Sequence, residues 1–176
     1  MTPMPPEMPP VFPMRRKDRA LSREEALDIL ARAEVATVSM VTEEGPYAVP
    51  VSPICLDGTL YFHAAMAGRK AEALRRDPRV WVSAVGATRS ADALPLDAFA
   101  SASASFTVGY ESAMAWGTLR EVTDPNEKVA ALRALCEKFT PSHMEAFEHA
   151  VSGSLPRTAV YALSLTAVSG KAKRLP

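Results

Sequence analysis

Apolar positions along this chain switch between two periods, and the switches mark the elements. After Met14 the first periodic segment is helical. Ser22 can cap it, Glu25 follows three residues later as the reciprocal partner, and Leu27, Leu30 and Ala31 supply one apolar face. That spacing predicts a helix ending near Glu34. From Val35 the pattern becomes that of strands. Val35–Val41 is rich in β-branched residues and runs into the turn cluster Glu43-Glu44-Gly45-Pro46. Tyr47–Cys55 is extended but carries Pro50 and Pro53, which lack a backbone donor and belong at an edge or a bulge. Asp57-Gly58 predicts a tight hairpin turn, with Thr59–His63 as the returning strand. A short helix at Arg69–Arg76 is stopped by Asp77-Pro78, and Arg79–Val85 alternates as a further strand.

Residues 86–105, GATRSADALPLDAFASASAS, are small and weakly patterned, and read as a long loop with one short helical turn near Leu94–Ala100. Phe106–Val122 resumes extended character. Asp124-Pro125-Asn126-Glu127 is a second helix start, with a capping carboxylate and proline at the first turn. Val129, Leu132, Leu135, Cys136 and Phe139 form its apolar stripe. Pro141 ends that helix, a weaker one is expected over Ser142–Val151, and Arg157–Ser169 closes as a long strand. The expected fold is mainly β with flanking helices: a six-stranded antiparallel barrel. Two segments are expected, a Pro-rich N-terminal arm over 1–13 and one folded domain over 14–176. Pro3, Pro5, Pro6, Pro9, Pro10 and Pro13 keep that arm out of any helix or central strand.

Composition narrows the function classes. The 176 residues carry 20 basic and 20 acidic side chains, which speaks against a dedicated nucleic-acid binder. No apolar run approaches the roughly 20 residues that span a bilayer, so no membrane partner is expected. The N-terminus lacks the basic and apolar regions of a signal peptide. Cys55 and Cys136 stand far apart and in no CxxC pair, as suits a reduced, cytoplasmic protein.

Candidate chemistry concentrates in Thr59–Val80. A strand ends at His63, a small-residue loop contains Gly68, and a helix opens with Arg69-Lys70. That order brings backbone N–H groups, the positive end of a helix and two cations together, a recipe for binding phosphate. The same two cations could equally be a solvated helix face. His143 and His149, six residues apart, would project about 120° from each other on a helix and do not form a metal site. No GxSxG elbow is present. The residues point to no catalytic constellation.

Several stretches resemble the FMN-binding split-barrel superfamily that includes the pyridoxamine 5′-phosphate oxidases, in particular its small branch of nitroimidazole-resistance reductases. They are Arg15-Arg16-Lys17-Asp18-Arg19 with Leu21, Gly45-Pro46-Tyr47 with Val49-Pro50-Val51, and Asp57 through His63. Gly68-Arg69-Lys70, Asp77-Pro78-Arg79-Val80, Tyr110-Glu111-Ser112 and Ser169-Gly170-Lys171-Ala172 complete the set, which covers Met14 to Arg174. The resemblance implies a split barrel, an FMN cofactor and a homodimer with the flavin at its interface. It implies that Arg69 and Lys70 hold the phosphate, and that Phe62 and His63 contact the phosphate or ribityl chain. Val49, Pro50, Val51 and Ser52 would run along the ring edge, and Ser112 would occupy a position where oxidases carry Gln. The implied activity is oxidoreduction, moving electrons from NADH, NADPH or a substrate to a small, for instance nitroaromatic, acceptor. No Arg-x-His motif of the vitamin B6 oxidases is present near the C-terminus. A non-catalytic flavin or haem binder on the same barrel is the alternative.

Overall fold

The computed structural model describes residues 14–176. The arm expected over residues 1–13 lies outside the described residues. A 3-10 turn at Lys17–Arg19 leads into β1 (Ala20–Leu21). Helix α1 (Arg23–Arg32) opens on the expected capping box. The Glu25 N–H donates to the Ser22 hydroxyl at 3.1 Å, and the Ser22 N–H donates to the Glu25 carboxylate at 2.8 Å. Strands β2 (Ala36–Thr42) and β3 (Gly45–Val51) form an antiparallel hairpin. β4 (Ile54–Leu56) and β5 (Thr59–Ala65) form another, joined by Asp57 and Gly58 at φ 47° and 76°. Positive φ at both positions is what a two-residue hairpin turn of matching twist requires.

Helix α2 (Arg69–Arg76) and β6 (Arg79–Ser90) follow. Two 3-10 turns and the four-residue α3 (Ala102–Ser105) then lead to β7 (Val108–Glu121). Helix α4 (Pro125–Phe139) is capped by Asp124, which accepts from the Asn126 and Glu127 N–H groups. α5 (Phe147–Ser154) and β8 (Thr158–Lys173) end the fold.

The strands form one antiparallel sheet in the order β3-β2-β6-β7-β8-β5-β4, with β1 added beside the far end of β8. β3 and β4 are the two ends of that path, yet only Ser52 and Pro53 separate them in the chain. Two residues reach no further than roughly 10 Å. The sheet therefore has to curl until its edges nearly meet, giving a barrel with a slit between β3 and β4.

Inside the barrel, Val38, Leu60, Phe62, Val80, Val82 and Leu163 pack with Ile29 and Leu30 of α1 and Leu74 of α2. Burying each such side chain contributes about 1.5–3 kcal/mol. Alternation along β5 sends Tyr61 the other way, into a second cluster with Ile54, Val160, Ala131 and Leu135, which seats α4 on the outside of β5 and β8. Gly170 lets α1 approach β8 closely, because a Cβ there would lie 2.8 Å from that of Ala26.

The mainly β class with flanking helices holds, but the described residues form eight strands and not six. Pro53 divides the expected Tyr47–Cys55 strand into β3 and β4. β1, at two residues, is too short to show a period. The expected loop at 86–105 also begins later, because β6 runs on to Ser90. Past a register shift between Val85 and Thr88 it keeps pairing with β7, through Thr88 opposite Tyr110 and Ser90 opposite Val108.

Candidate cofactor site

The barrel end formed by β5, the following loop and α2 gathers the expected phosphate ligands. Gly68, at φ 103°, turns the chain into α2 and offers no side-chain cap, so the first N–H groups of the helix stay without a local partner. The loop before it is held by Arg75, which donates to the Met66 carbonyl at 2.6 Å. Lys70 is partly buried, its ammonium 5.5 Å from the centroid of Phe62. Among the described residues it has no carboxylate partner, and burial pushes its pKa below the ordinary lysine value.

Arg69 is placed differently. It lies exposed over the Tyr47 ring at 4.6 Å and donates to Glu44 in the β2–β3 turn at 3.3 Å. Two turns further along α2, Arg76 pairs with Glu43 at 2.6 Å. These pairs fasten both ends of α2 to the β2–β3 turn. The cleft of about 500 Å³ between that turn and α2 is lined by Glu43, Glu44 and Glu72 as well as Arg69 and Arg76. Its carboxylates outnumber its cations, so the favourable place for an anion is the Lys70 side of the helix start.

His63 is exposed at the end of β5. The groups around its ring displace enough water that its pKa falls below the ordinary histidine value, and the nearby Lys70 charge lowers it further. Both effects favour the neutral imidazole. Phe62 is fully buried and stacks on Tyr161 at 5.4 Å, so only its backbone can approach a ligand. The Tyr161 hydroxyl is buried with no hydrogen-bond partner among the described residues.

Val49 and Val51 point into the barrel and Pro50 outward, and all three belong to β3, which among the described residues pairs only with β2. Its other edge is open, and Ser52 continues along the slit. The structure thus brings β3, Arg69, Lys70 and the end of β5 together. Ser112 is not brought to them. It lies on β7, opposite Val85 and Lys171 and three strands from β3, about 14 Å at the usual strand spacing.

Two features of this site were not legible from spacing: the Arg69–Glu44 pair and the Arg69–Tyr47 stack. The acidic turn Glu43-Glu44 and the basic face of α2 were both visible, but only the hairpin's placement makes them neighbours.

A curled antiparallel sheet split between its edge strands, with an uncapped helix start beside the slit, defines a split-barrel protein. The chain belongs to the pyridoxamine 5′-phosphate oxidase family, whose model matches residues 22–172. Among solved structures it is similar to a candidate 5-nitroimidazole antibiotic resistance protein from Bacteroides thetaiotaomicron. The identity is 22% and the TM-score 0.65, covering 87% of this chain and 86% of that one. It is also similar to a flavocytochrome from Azotobacter vinelandii, at 20% identity and TM-score 0.72, covering 93% of this chain and 73% of the other. An FAD- and haem-binding protein from Mycobacterium smegmatis matches at 24% identity and TM-score 0.69, over 88% and 73% of the two chains. None of the curated protein sequences matches the chain. Among the described residues no helix is long and apolar enough to cross a membrane.

Proposed function

We propose that this chain is an FMN-dependent oxidoreductase that works as a homodimer, with the cofactor's phosphate at the start of α2. The observation that carries the reading is Lys70: a partly buried ammonium with no carboxylate partner among the described residues, beside uncapped helix N–H groups. A buried charge left unpaired is costly, and a phosphate dianion would relieve that cost. Arg69 reaches the same anion by leaving Glu44, an exposed pair worth about 0–1 kcal/mol. His63 can exchange one hydrogen bond with the phosphate or the ribityl chain and is the titratable group placed to hold a proton there.

The open edge of β3 from Val49 to Ser52 offers backbone groups to the rim of the ring, with Pro50 contributing a carbonyl but no N–H. Bound FMN would supply two-electron transfer between a nicotinamide donor, NADH or NADPH, and a small acceptor such as a nitroaromatic. Ser112, remote from Lys70 in its own chain, would reach a flavin held by a second copy. Flavin and haem both occur among the named binding partners of similar structures, which supports a flavin reading and keeps haem as the competing cofactor.

Purified full-length protein is expected to show the absorbance pair of oxidised flavin and to release FMN, not FAD, on denaturation. Lys70→Ala should weaken FMN retention about 10- to 150-fold, the loss of one charge-assisted contact of about 1.5–3 kcal/mol. Equal affinity in the two proteins would remove the phosphate assignment, and a Soret band would favour the haem reading. Anaerobic bleaching by NADH or NADPH separates an enzyme from a flavin carrier.

A further inference from the structure

The two ends of the described chain carry a charge imbalance that the whole sequence conceals. From Met14 to Glu25 stand Arg15, Arg16, Lys17, Arg19 and Arg23 against Asp18, Glu24 and Glu25. The stretch after Gly170 adds Lys171, Lys173 and Arg174 with no acid. Pairing of β1 with β8, through Ala20 opposite Lys171 and Leu21 opposite Gly170, brings both groups to one edge of the sheet. The two segments together hold eight cations and three carboxylates, in a chain whose formal charges balance; Glu111, opposite Ala172 on β7, is engaged by Arg32.

Four of these cations line a concavity. Arg16, Arg19, Lys173 and Arg174, with Asp18 and Glu25, line a cleft of about 440 Å³. Both acids are already engaged. Asp18 receives the Arg16 guanidinium at 2.8 and 2.6 Å, which holds its carboxyl at about 2, well below the usual range. Glu25 accepts from the Ser22 N–H and stands 3.7 Å from Arg174. Among the described residues Arg19 and Lys173 have no carboxylate partner; Lys173 donates to the Thr107 hydroxyl. Nearby, burial raises the pKa of Tyr110, but Arg19 and Lys171 beside its hydroxyl outweigh that and leave it below the ordinary phenol value. Like charges assembled by topology repel one another unless an anion sits among them.

This cleft is remote from Lys70 in the same chain. Lys173 lies thirteen residues along β8 from Val160, the partner of His63, which is roughly 40 Å of strand before curvature shortens it. One small ligand cannot touch both.

We propose that this cleft is a second anion site, built for a small ligand bearing two or more linked phosphate groups, with Arg19 and Lys173 as its unpaired contacts. Asp18 and Glu25 already answer Arg16 and Arg174, so Arg19 and Lys173 leave the cleft two negative charges short, which linked phosphates supply and a singly charged anion does not. The concave shape favours a compact polyanion over a nucleic-acid strand, which needs an extended basic track. The proposal does not depend on the flavin reading.

Calorimetric titration of the full-length chain with tripolyphosphate at fixed ionic strength tests it. One saturable site per chain is expected, weakened about tenfold or more in Arg19→Ala and in Lys173→Ala and unchanged in Lys70→Ala. Titration with ATP distinguishes the two sources of this chemistry. Tighter binding than tripolyphosphate identifies a nucleotide, equal binding the phosphate chain alone, and either supports the site. Absence of saturable binding, indifference to both substitutions, or loss confined to Lys70→Ala would overturn it. So would a short single-stranded oligonucleotide that binds more tightly than tripolyphosphate. Both substituted side chains are exposed or partly so, and unchanged melting temperatures verify that the variants fold.

Discussion

Lys138 holds three carbonyls with one ammonium: those of Ala31, Ala33 and Pro53, at 2.8, 2.7 and 2.8 Å. The first two lie where α1 ends, the third at the corner between β3 and β4, so this side chain ties α4 to the slit of the barrel. Lys138→Met keeps most of the stem but leaves those acceptors short of a donor, and should cost about 2 kcal/mol in urea unfolding. A change under a few tenths would mean that water replaces the ammonium without loss. His63 makes a different prediction. Burial and then the Lys70 charge lower its pKa, so the unfolded chain takes up a proton near the ordinary value while the folded chain takes it up only at lower pH. Between those two values the unfolded state binds more protons, and stability falls as pH falls. Below the folded value the loss levels off. The drop in melting temperature from pH 7 to pH 5 should therefore be smaller for His63→Gln than for the parent in flavin-free protein. An identical drop would deny the depressed pKa.

At the scale of elements, signals internal to a segment were legible and signals that depend on a partner were not. The Ser22–Glu25 box, the Asp57-Gly58 turn, the bounds of α2 and the Asp124 cap follow from short-range chemistry, and each stands where its residues indicate. The extension of β6 through Gly86–Ser90 had no apolar alternation to announce it; the register of β7 beyond the bulge makes those residues a strand. The site divides the same way. Gly68-Arg69-Lys70 can be read from order alone, while the Glu44 that engages Arg69 depends on how a hairpin lies against a helix. Gly117 is a further long-range case. It sits at the register shift between β7 and β8, where an added Cβ would run into the Ser164 carbonyl oxygen. That obstacle is backbone and cannot rotate aside. Gly117→Ala should destabilise by about 2–3 kcal/mol, measured by chemical unfolding, and a neutral result would show that the two strands separate easily there.

For the whole molecule, the unanswered surface is the outward face of β2, β6 and β7. An antiparallel sheet with one face on the core usually turns polar residues outward. Here Val41, Val85 and Met114 are 62%, 61% and 44% exposed, and Trp81 pairs with Trp116 at 5.3 Å between ring centroids on the same side. Large apolar side chains left exposed among the small polar Thr37, Ser39, Ser83 and Ser112 of the same face ask for cover. A second copy is the occupant that also accounts for Ser112, stranded on this face and about 14 Å from the β3 edge. The proposed dimer and the proposed flavin are then coupled: a substitution that parts the subunits should also release the cofactor, although Lys70 is untouched. Val85→Glu tests this, because its side chain is solvent-exposed in the single chain and a carboxylate there leaves the barrel interior alone. Light scattering should report a dimer for the parent and a monomer for the variant, with unchanged far-ultraviolet circular dichroism and at least about tenfold weaker FMN binding. A parent that is monomeric while holding FMN tightly would remove the dimer. A variant that is monomeric with undiminished FMN affinity would confine the whole cofactor site to one chain, and Ser112 would then have no part in it.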